Sequence, residues 1–306
     1  MICVRNVRKR FEQTLALDGF EMTVKSGSVY GLIGTNGAGK TTILKLLAGV
    51  LKADYGDIMV ADTPVFESEA IKGRLSFIPD DIAFFAKHTP KDLARLYASL
   101  YDGWDRTLHE HIMGEFNLAM NIPLSRFSKG MQKQAVFALA LATTPDYLLL
   151  DEPIDGLDPF ARRIVWNHIV DATAARGMTT LVSSHNLREM EGICDSVGII
   201  DQGHMVLEKE LDVLRADIHK VQISFGTAAG TGGSATPEGA YSMLNVVHME
   251  QRGAVDVIIV RESREALERW NAEYRPLLFD PIPLTLEEVF IYELGGADHA
   301  NLSIFE

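Results

Sequence analysis

The sequence predicts an α/β protein in which helices cover a mostly parallel β-sheet, followed by a small α+β unit. Short, continuously apolar runs, such as residues 29–33 and 147–150, alternate with helical patterns, which is typical of parallel sheets buried on both faces. After about residue 215, apolar and polar residues alternate as they do in half-exposed strands. We therefore expect two domains, residues 1–215 and residues 216–306.

The composition is that of a globular protein, and it argues against several classes of function. Of the 306 residues, 47% are hydrophobic and 23% are charged. The longest apolar run, residues 135–142, is shorter than the roughly 18–20 residues of a membrane-spanning helix, and we expect no secretory signal. The formal charge of −13 argues against a nucleic-acid partner, which usually requires a basic surface. Cys3 and Cys194 fit no metal-binding spacing and are typical of a reducing compartment.

The first domain opens with strands and continues with a strand, a loop and a helix. We expect strands at residues 2–4 and 20–24 and a buried strand at 29–33. Beyond a glycine-rich loop, apolar residues at positions i, i+3, i+4 and i+7 mark one face of a helix: Ile43, Leu46, Leu47 and Val50.

A helical insertion interrupts the alternation between about residues 81 and 142. Thr89 fits the N-cap of its first helix, Pro90 the first helical position, and Asp92 the reciprocal capping partner. A second strong helical pattern covers residues 130–142.

Strands and helices then alternate again. We expect strands at residues 147–150, 179–183 and 197–200, a helix that begins near Asp158, and a helix at 187–194.

The C-terminal unit shows no group of residues that suggests catalysis. Its expected elements are strands near residues 221–225, 246–249 and 255–260, a mobile loop at 226–239, and a helix at 264–274.

The strongest functional signal is the segment GTNGAGKT, residues 34–41, which matches the phosphate-binding pattern G-x-x-x-x-G-K-[ST] between a strand and a helix. Its glycines let main-chain N–H groups close around phosphate oxygens, and the amino end of the helix adds positive potential. We expect Lys40 to reach the β- and γ-phosphates and the Thr41 hydroxyl to hold Mg²⁺. The expected nucleotide-binding residues here are Gly34, Asn36, Gly37, Ala38, Gly39, Lys40, Thr41 and Thr42.

Two adjacent acids, Asp151 and Glu152, follow the buried strand at residues 147–150. Burying them there is costly unless they serve a cation or a reaction. Asp151 fits Mg²⁺ coordination, directly or through water, and Glu152 fits a general base for the water that attacks the γ-phosphate. A solvated turn would explain such a pair equally well by itself, but a phosphate-binding loop upstream favours the catalytic interpretation.

Over about residues 1–215 the chain resembles the ATP-binding subunit of ATP-binding-cassette (ABC) transporters. Residues 127–132, FSKGMQ, resemble the family's signature motif, residues 154–158, IDGLD, resemble its D-loop, and His185 resembles its switch histidine. The resemblance implies a P-loop NTPase of the ABC-ATPase type, with an N-terminal antiparallel β part and a helical subdomain at about residues 81–142.

The resemblance also implies roles for single residues. Phe11 lies where the family places an aromatic ring against adenine, and a core phenylalanine is the alternative. Ser128, Gly130 and Gln132 would contact ATP held by an opposite subunit, so that two chains enclose two ATP molecules. His185 would donate a hydrogen bond to the γ-phosphate and hold the attacking water.

The chain departs from the family pattern at two places. Lys129 and Met131 stand where the signature usually has other residues, in a form that resembles bacterial export-type members. Asp80 follows Pro79 where the family usually has the Q-loop glutamine. We expect Asp80 to ligate Mg²⁺ or to order water, with Asp81 as the competing candidate and an exposed turn as the third interpretation.

The resemblance implies an ATP-hydrolysing motor subunit of an exporter, with ATP and Mg²⁺ as cofactors. It implies a homodimer, or a heterodimer with a homologous ATPase, that drives a separate membrane-spanning permease from the cytoplasmic face of the membrane. A soluble ABC ATPase acting on ribosomes or DNA, or an ATP-switched interaction protein, is the alternative. A P-loop kinase or GTPase would leave the signature motif and His185 unexplained.

Overall fold

The computed structural model describes residues 1–83, 87–216, 218–227 and 235–293. The chain separates into two compact units, of which the first ends at Glu208 and the second begins at Lys209, a few residues before the predicted domain boundary. Part of the segment predicted to be a mobile loop, residues 228–234, lies outside the described residues.

Strands and helices alternate along residues 1–210. In chain order they are β1 (Ile2–Phe11), β2 (Thr14–Val24), β3 (Val29–Ile33), α1 (Lys40–Leu47), β4 (Tyr55–Val60), β5 (Thr63–Pro64), α2 (Glu69–Lys72), β6 (Leu75–Ile78), α3 (Pro90–Leu100), α4 (Arg106–Glu115), α5 (Lys129–Ala142), β7 (Tyr147–Asp151), α6 (Pro159–Arg176), β8 (Thr179–Ser184), β9 (Ser196–Asp201) and β10 (His204–Glu210).

A six-stranded sheet with the order β10-β9-β3-β8-β7-β6 forms the centre of the first unit. The pairs β3–β8, β3–β9, β6–β7 and β7–β8 are parallel, which confirms the predicted core. Every residue of β3, β7 and β8 is buried, as expected for strands covered on both faces. Because parallel strands end at the same edge of a sheet, the loops that follow β3, β6, β7 and β8 lie side by side.

A four-stranded sheet with the order β2-β1-β4-β5 shares a hydrophobic core with α1 and the parallel sheet. The strand β1 pairs antiparallel with both β2 and β4. Ile43, Leu46 and Leu47 of α1 are buried in this core, and each contributes about 1.5–3 kcal/mol to stability. Val50 does not continue the face, because the helix ends at Leu47 and Val50 is exposed. The packing of α1 fixes the position of the loop that precedes it.

The helical insertion contains α3, α4 and α5. Thr89 and Asp92 form the predicted capping box at the start of α3, in which each side chain accepts the main-chain N–H of the other residue. Leu96 and Leu100, one turn apart on α3, remain exposed. Within the described residues, no helix combines the length and the apolar character needed to cross a membrane.

The prediction of a helix at residues 187–194 is wrong. The structure has only a short 3₁₀ turn there, at Leu187–Met190. Leu187, Met190 and Cys194 are buried, so their helix-like spacing arises from packing against the core. The chain then turns at Gly192, whose φ of 78° is not helical.

The second unit has the predicted α+β character. Its antiparallel sheet has the order β12-β13-β11-β14, and Trp270 lies in its core, where the indole Nε1–H donates to the Ala240 carbonyl oxygen (2.7 Å). The elements are α7 (Leu211–Ala216), β11 (Ile218–Ser224), β12 (Val246–Arg252), β13 (Val255–Arg261), α8 (Arg264–Tyr274), β14 (Leu278–Ile282) and α9 (Leu286–Glu293).

Candidate active site

The glycine-rich loop connects β3 to α1 at the carboxyl edge of the parallel sheet. The Gly34 N–H donates to the Ser184 carbonyl oxygen (3.2 Å), which ties the start of the loop to the end of β8. Gly39 has a φ of 115°, and a Cβ atom there would lie 2.9 Å from the Ala16 carbonyl oxygen. Only glycine fits this position, which lets the chain turn into the first residue of α1.

A cleft of about 400 Å³ lies over this loop. Gly34 and Ala38 support the loop, since Gly34 offers its carbonyl oxygen to Lys40 and Ala38 is buried. The cleft is lined by the expected residues Asn36, Gly37, Gly39, Lys40, Thr41, Thr42, Asp80 and Glu152, and by Thr35 of the same phosphate-binding segment. It is also lined by Thr14, Leu15, Ala16 and Gln202, which the sequence did not indicate.

The Lys40 ammonium group lies at the centre of this arrangement, and the residue as a whole is 5% exposed. It donates to the carbonyl oxygens of Gly34 (2.6 Å) and Thr35 (3.2 Å), and it lies 3.2 Å from Glu152 Oε1. Charge-assisted hydrogen bonds to phosphate are stronger than bonds to neutral carbonyls. The group therefore fits an anionic phosphate chain in the cleft.

Asp151 is buried and has a hydrogen bond at each carboxylate oxygen. Thr41 Oγ1 donates to Oδ2 (2.7 Å), and Ser183 Oγ donates to Oδ1 (2.6 Å). Carboxylate and hydroxyl oxygens are the hard ligands that Mg²⁺ prefers, so Thr41 and Asp151 fit a Mg²⁺ ion beside the phosphates. The sequence marks Ser183 only by its position near the end of a strand, two residues before His185, and so did not predict its contact with Asp151.

Glu152 has a strained backbone, with a φ of 47° in the left-handed region that non-glycine residues rarely adopt. Its N–H donates to Ser183 Oγ (3.1 Å), and its carbonyl oxygen accepts from Lys133 Nζ (2.8 Å). This turn directs the carboxylate into the cleft, where Oε1 meets Lys40 and Oε2 lies 2.8 Å from His185 Nδ1.

His185 follows the end of β8, and about half of its side chain is exposed. The residue before it, Ser184, is connected to the D-loop through two further side chains. Ser184 Oγ donates to Glu189 Oε2 (2.8 Å), Arg162 Nη1 lies 3.3 Å from Glu189 Oε1, and Arg162 Nε donates to the Leu157 carbonyl oxygen (2.9 Å). These contacts connect the end of β8, beside His185, to Leu157 of the D-loop.

The signature residues lie outside the set that lines the cleft. Ser128 caps α5, and its hydroxyl accepts a main-chain N–H from the first helical turn (3.2 Å). A Cβ atom at Gly130 would lie 3.0 Å from the Gly156 carbonyl oxygen. The signature helix, α5, and the D-loop are therefore in close contact. The Gln132 amide donates to two carbonyl oxygens of the preceding turn (3.0 and 3.1 Å) and so stabilises that turn.

Phe11 and Asp80 complete the predicted set. Phe11 ends β1 and is 42% exposed, and the Lys9 ammonium lies 5.6 Å from the centre of its ring, so the alternative of a core phenylalanine is wrong. Asp80 lines the cleft, and its Oδ1 lies 2.8 Å from Lys133 Nζ. No pattern in the sequence indicates Lys133 as part of the site.

Comparisons with known proteins agree with this arrangement. Residues 17–155 match the family model described as ABC transporter. The chain is 29% identical to the ABC transporter ATP-binding protein YtrB of Bacillus subtilis, over 97% of this chain and 99% of that protein. It is 33% identical to the Nod factor export ATP-binding protein I of Burkholderia lata, over 67% of this chain and 69% of that protein.

A solved structure of the ATP-binding subunit of an ABC transporter matches with a TM-score of 0.65 and 27% identity, over 70% of this chain and 92% of the other. The residues matched by the family model lie within the first unit, where the cleft lies. The chain belongs to the ABC transporter family, as an ATP-binding subunit of the ABC ATPase type.

Proposed function

We propose that this chain binds Mg²⁺–ATP in the cleft over residues 34–42 and hydrolyses it to drive export through a separate membrane-spanning permease. The observation that carries the proposal is the convergence of Lys40, Glu152 and His185 beside the phosphate-binding loop. A cation that binds the phosphates and a base that positions the attacking water are recurring parts of sites that hydrolyse phosphoanhydrides. The imidazole in contact with Glu152 would orient that base.

Each group has one task in this mechanism. Lys40 and the main-chain N–H groups at the start of α1 bind the β- and γ-phosphates. Glu152 takes a proton from the attacking water, the water oxygen bonds to the γ-phosphorus, and the bond to the β–γ bridging oxygen breaks to release ADP. His185 holds the γ-phosphate and the orientation of Glu152.

Thr41 and Asp151 would hold the Mg²⁺ ion, which neutralises charge on the phosphate oxygens when it is bound. Phe11, exposed at the end of β1, would stack on the adenine ring. Gly34, Asn36, Gly37, Ala38, Gly39 and Thr42 complete the proposed nucleotide site.

A head-to-tail homodimer is the proposed working form. Ser128, Gly130 and Gln132 lie at the amino end of a 14-residue helix, away from the cleft of their own chain, where they would contact the γ-phosphate held by a second chain. One chain contains both Glu152 and Ser128, so two identical chains would form two complete sites. A heterodimer with a homologous ATPase is the alternative.

The proposed location of the chain is the cytoplasmic face of the membrane. In this proposal, residues 1–215 form the ATP-binding domain and residues 216–306 form an accessory domain. The export direction is supported by the relative that is named for Nod factor export. Leu96 and Leu100, exposed on α3 of the insertion, supply an apolar surface for the permease.

Co-purification in mild detergent tests this proposal. The tagged chain should sediment with membranes after gentle breakage of cells and retain one protein with several membrane spans. Changing Leu96 and Leu100 to Glu should remove that protein, because charges cannot be buried against an apolar partner, while ATP hydrolysis by the purified chain persists. Val170→Glu is the matched control, since Val170 is also an exposed apolar residue, but on α6, and should leave the complex intact.

A chain that stays in the soluble fraction or travels with ribosomes would contradict the transport assignment. A membrane partner that is retained equally by all three proteins would contradict the docking role of Leu96 and Leu100.

A further inference from the structure

Lys133 connects three parts of the first unit. It lies one turn into α5, and its side chain is only 12% exposed. Its Nζ donates to Asp80 Oδ1 (2.8 Å), in the loop after β6, and to the Glu152 carbonyl oxygen (2.8 Å), in the turn after β7. One ammonium group therefore joins the signature helix to both acidic segments of the cleft.

The contact between Lys133 and Asp80 offsets negative charge in the cleft. Asp80 and Glu152 line the cleft, and Asp151 lies beneath it. A nucleotide adds further negative charge to the same space. Lys40 already pairs with Glu152, so Lys133 is the cation that compensates Asp80. Without Lys133, the Asp80 carboxylate would face the phosphates uncompensated and would repel them.

The second hydrogen bond of Lys133 supports the strained turn. Glu152 has a positive φ, and its N–H and carbonyl groups are held by Ser183 and Lys133 respectively. Residues in sparsely populated conformations persist only when their surroundings hold them there. Lys133 therefore helps to keep the Glu152 carboxylate directed toward Lys40 and His185.

We propose that Lys133 is a positioning residue for ATP hydrolysis, which neutralises Asp80 beside the phosphates and holds the Glu152 turn in its working conformation. This rests on the proposed nucleotide site. Asp80 then acts as the anchor of Lys133 and not as a Mg²⁺ ligand, the role first expected for it. Gly130 and Gln132 of the signature motif also lie on α5. The hydrogen bond from Lys133 to the Glu152 carbonyl oxygen therefore links the position of the signature motif to that of Glu152.

Four full-length proteins separate the two tasks: the unsubstituted chain, Lys133→Met, Asp80→Asn and the double variant. ATP affinity is measured with EDTA, so that no turnover occurs, and kcat is measured with Mg²⁺. Lys133→Met should weaken ATP binding by about threefold to fivefold, a modest effect because Asp80 is half-exposed. It should also lower kcat by about tenfold or more through misplacement of Glu152.

The double variant gives the decisive result. Removing the Asp80 charge should restore ATP affinity to the unsubstituted value, whereas kcat should stay low because the Glu152 carbonyl still lacks its partner. Lys133→Gln, which keeps a donor without a charge, should lose affinity like Lys133→Met but retain more of kcat. It also serves as the test if Lys133→Met does not fold, and thermal unfolding checks that all variants are native.

Asp81→Asn in the Lys133→Met background is the matched control, since it makes the same change at the neighbouring residue and should restore nothing. Equal recovery by Asp81→Asn, or no recovery by Asp80→Asn, would overturn the proposal. So would a larger rise in the KM for Mg²⁺–ATP, taken from the same turnover assay, in Asp80→Asn than in Lys133→Met, which would make Asp80 a metal ligand. Unchanged ATP binding by Lys40→Ala would refute the nucleotide site itself, whatever this set of variants shows.

Discussion

Glu152→Gln should lower the kcat for ATP by about a hundredfold or more, because a general base of this kind contributes about 10²–10⁴ to the rate. Glutamine keeps the size of the side chain and can still accept a hydrogen bond from His185, but its amide cannot take a proton from water. ATP affinity should not fall, since the change removes a negative charge 3.2 Å from the Lys40 ammonium group.

Phosphate release and equilibrium ATP binding, measured on the same protein preparation, check this prediction. Glu110→Gln is the matched control, because it makes the same substitution at an exposed residue of α4 and should leave kcat unchanged. Undiminished hydrolysis by Glu152→Gln would remove Glu152 from the role of base.

Lys40→Ala should weaken ATP binding by about tenfold to a hundredfold, because hydrogen bonds from a charged group contribute about 1.5–3 kcal/mol. The effect has two sources. The phosphates lose a buried cation, and the Glu152 carboxylate loses the positive charge beside it, so that it repels the nucleotide. Turnover should be lost in parallel at any practical ATP concentration.

Calorimetric titration with ATP measures this loss. Lys45→Ala, one turn further along α1 and outside the residues that line the cleft, is the control and should bind ATP normally. An unchanged ATP affinity in Lys40→Ala would show that the nucleotide binds elsewhere.

The sequence predicted those parts of the fold that depend on local pattern. The continuous apolar run of β3, the glycine loop and the periodicity of α1 lie within about twenty residues, and each feature has a single local cause. The capping box of Thr89 and Asp92 is also local, and the structure has both of its hydrogen bonds. Strong local signals were sufficient for these elements.

Contacts between distant segments could not be predicted in this way. Lys133 and Asp80 are 53 positions apart, and Ser183 and Asp151 are 32 apart, so neither pair leaves a pattern in one sequence. The prediction of a helix at residues 187–194 was wrong because a local pattern was present without the local structure that it usually indicates. There, tertiary packing of Leu187 and Met190 produced a helix-like spacing in a segment that turns at Gly192.

Sedimentation velocity of Glu152→Gln with and without ATP tests most directly whether two chains close around the nucleotide. The variant should bind ATP without hydrolysing it, so ATP should convert it from one chain of 33.8 kDa to a stable pair with one ATP per chain. Adding Lys40→Ala to the same chain should abolish the conversion. The contrary result is a Glu152→Gln chain that binds ATP with full affinity and yet sediments as a monomer at every protein concentration. That result would contradict the proposal that two chains close around ATP.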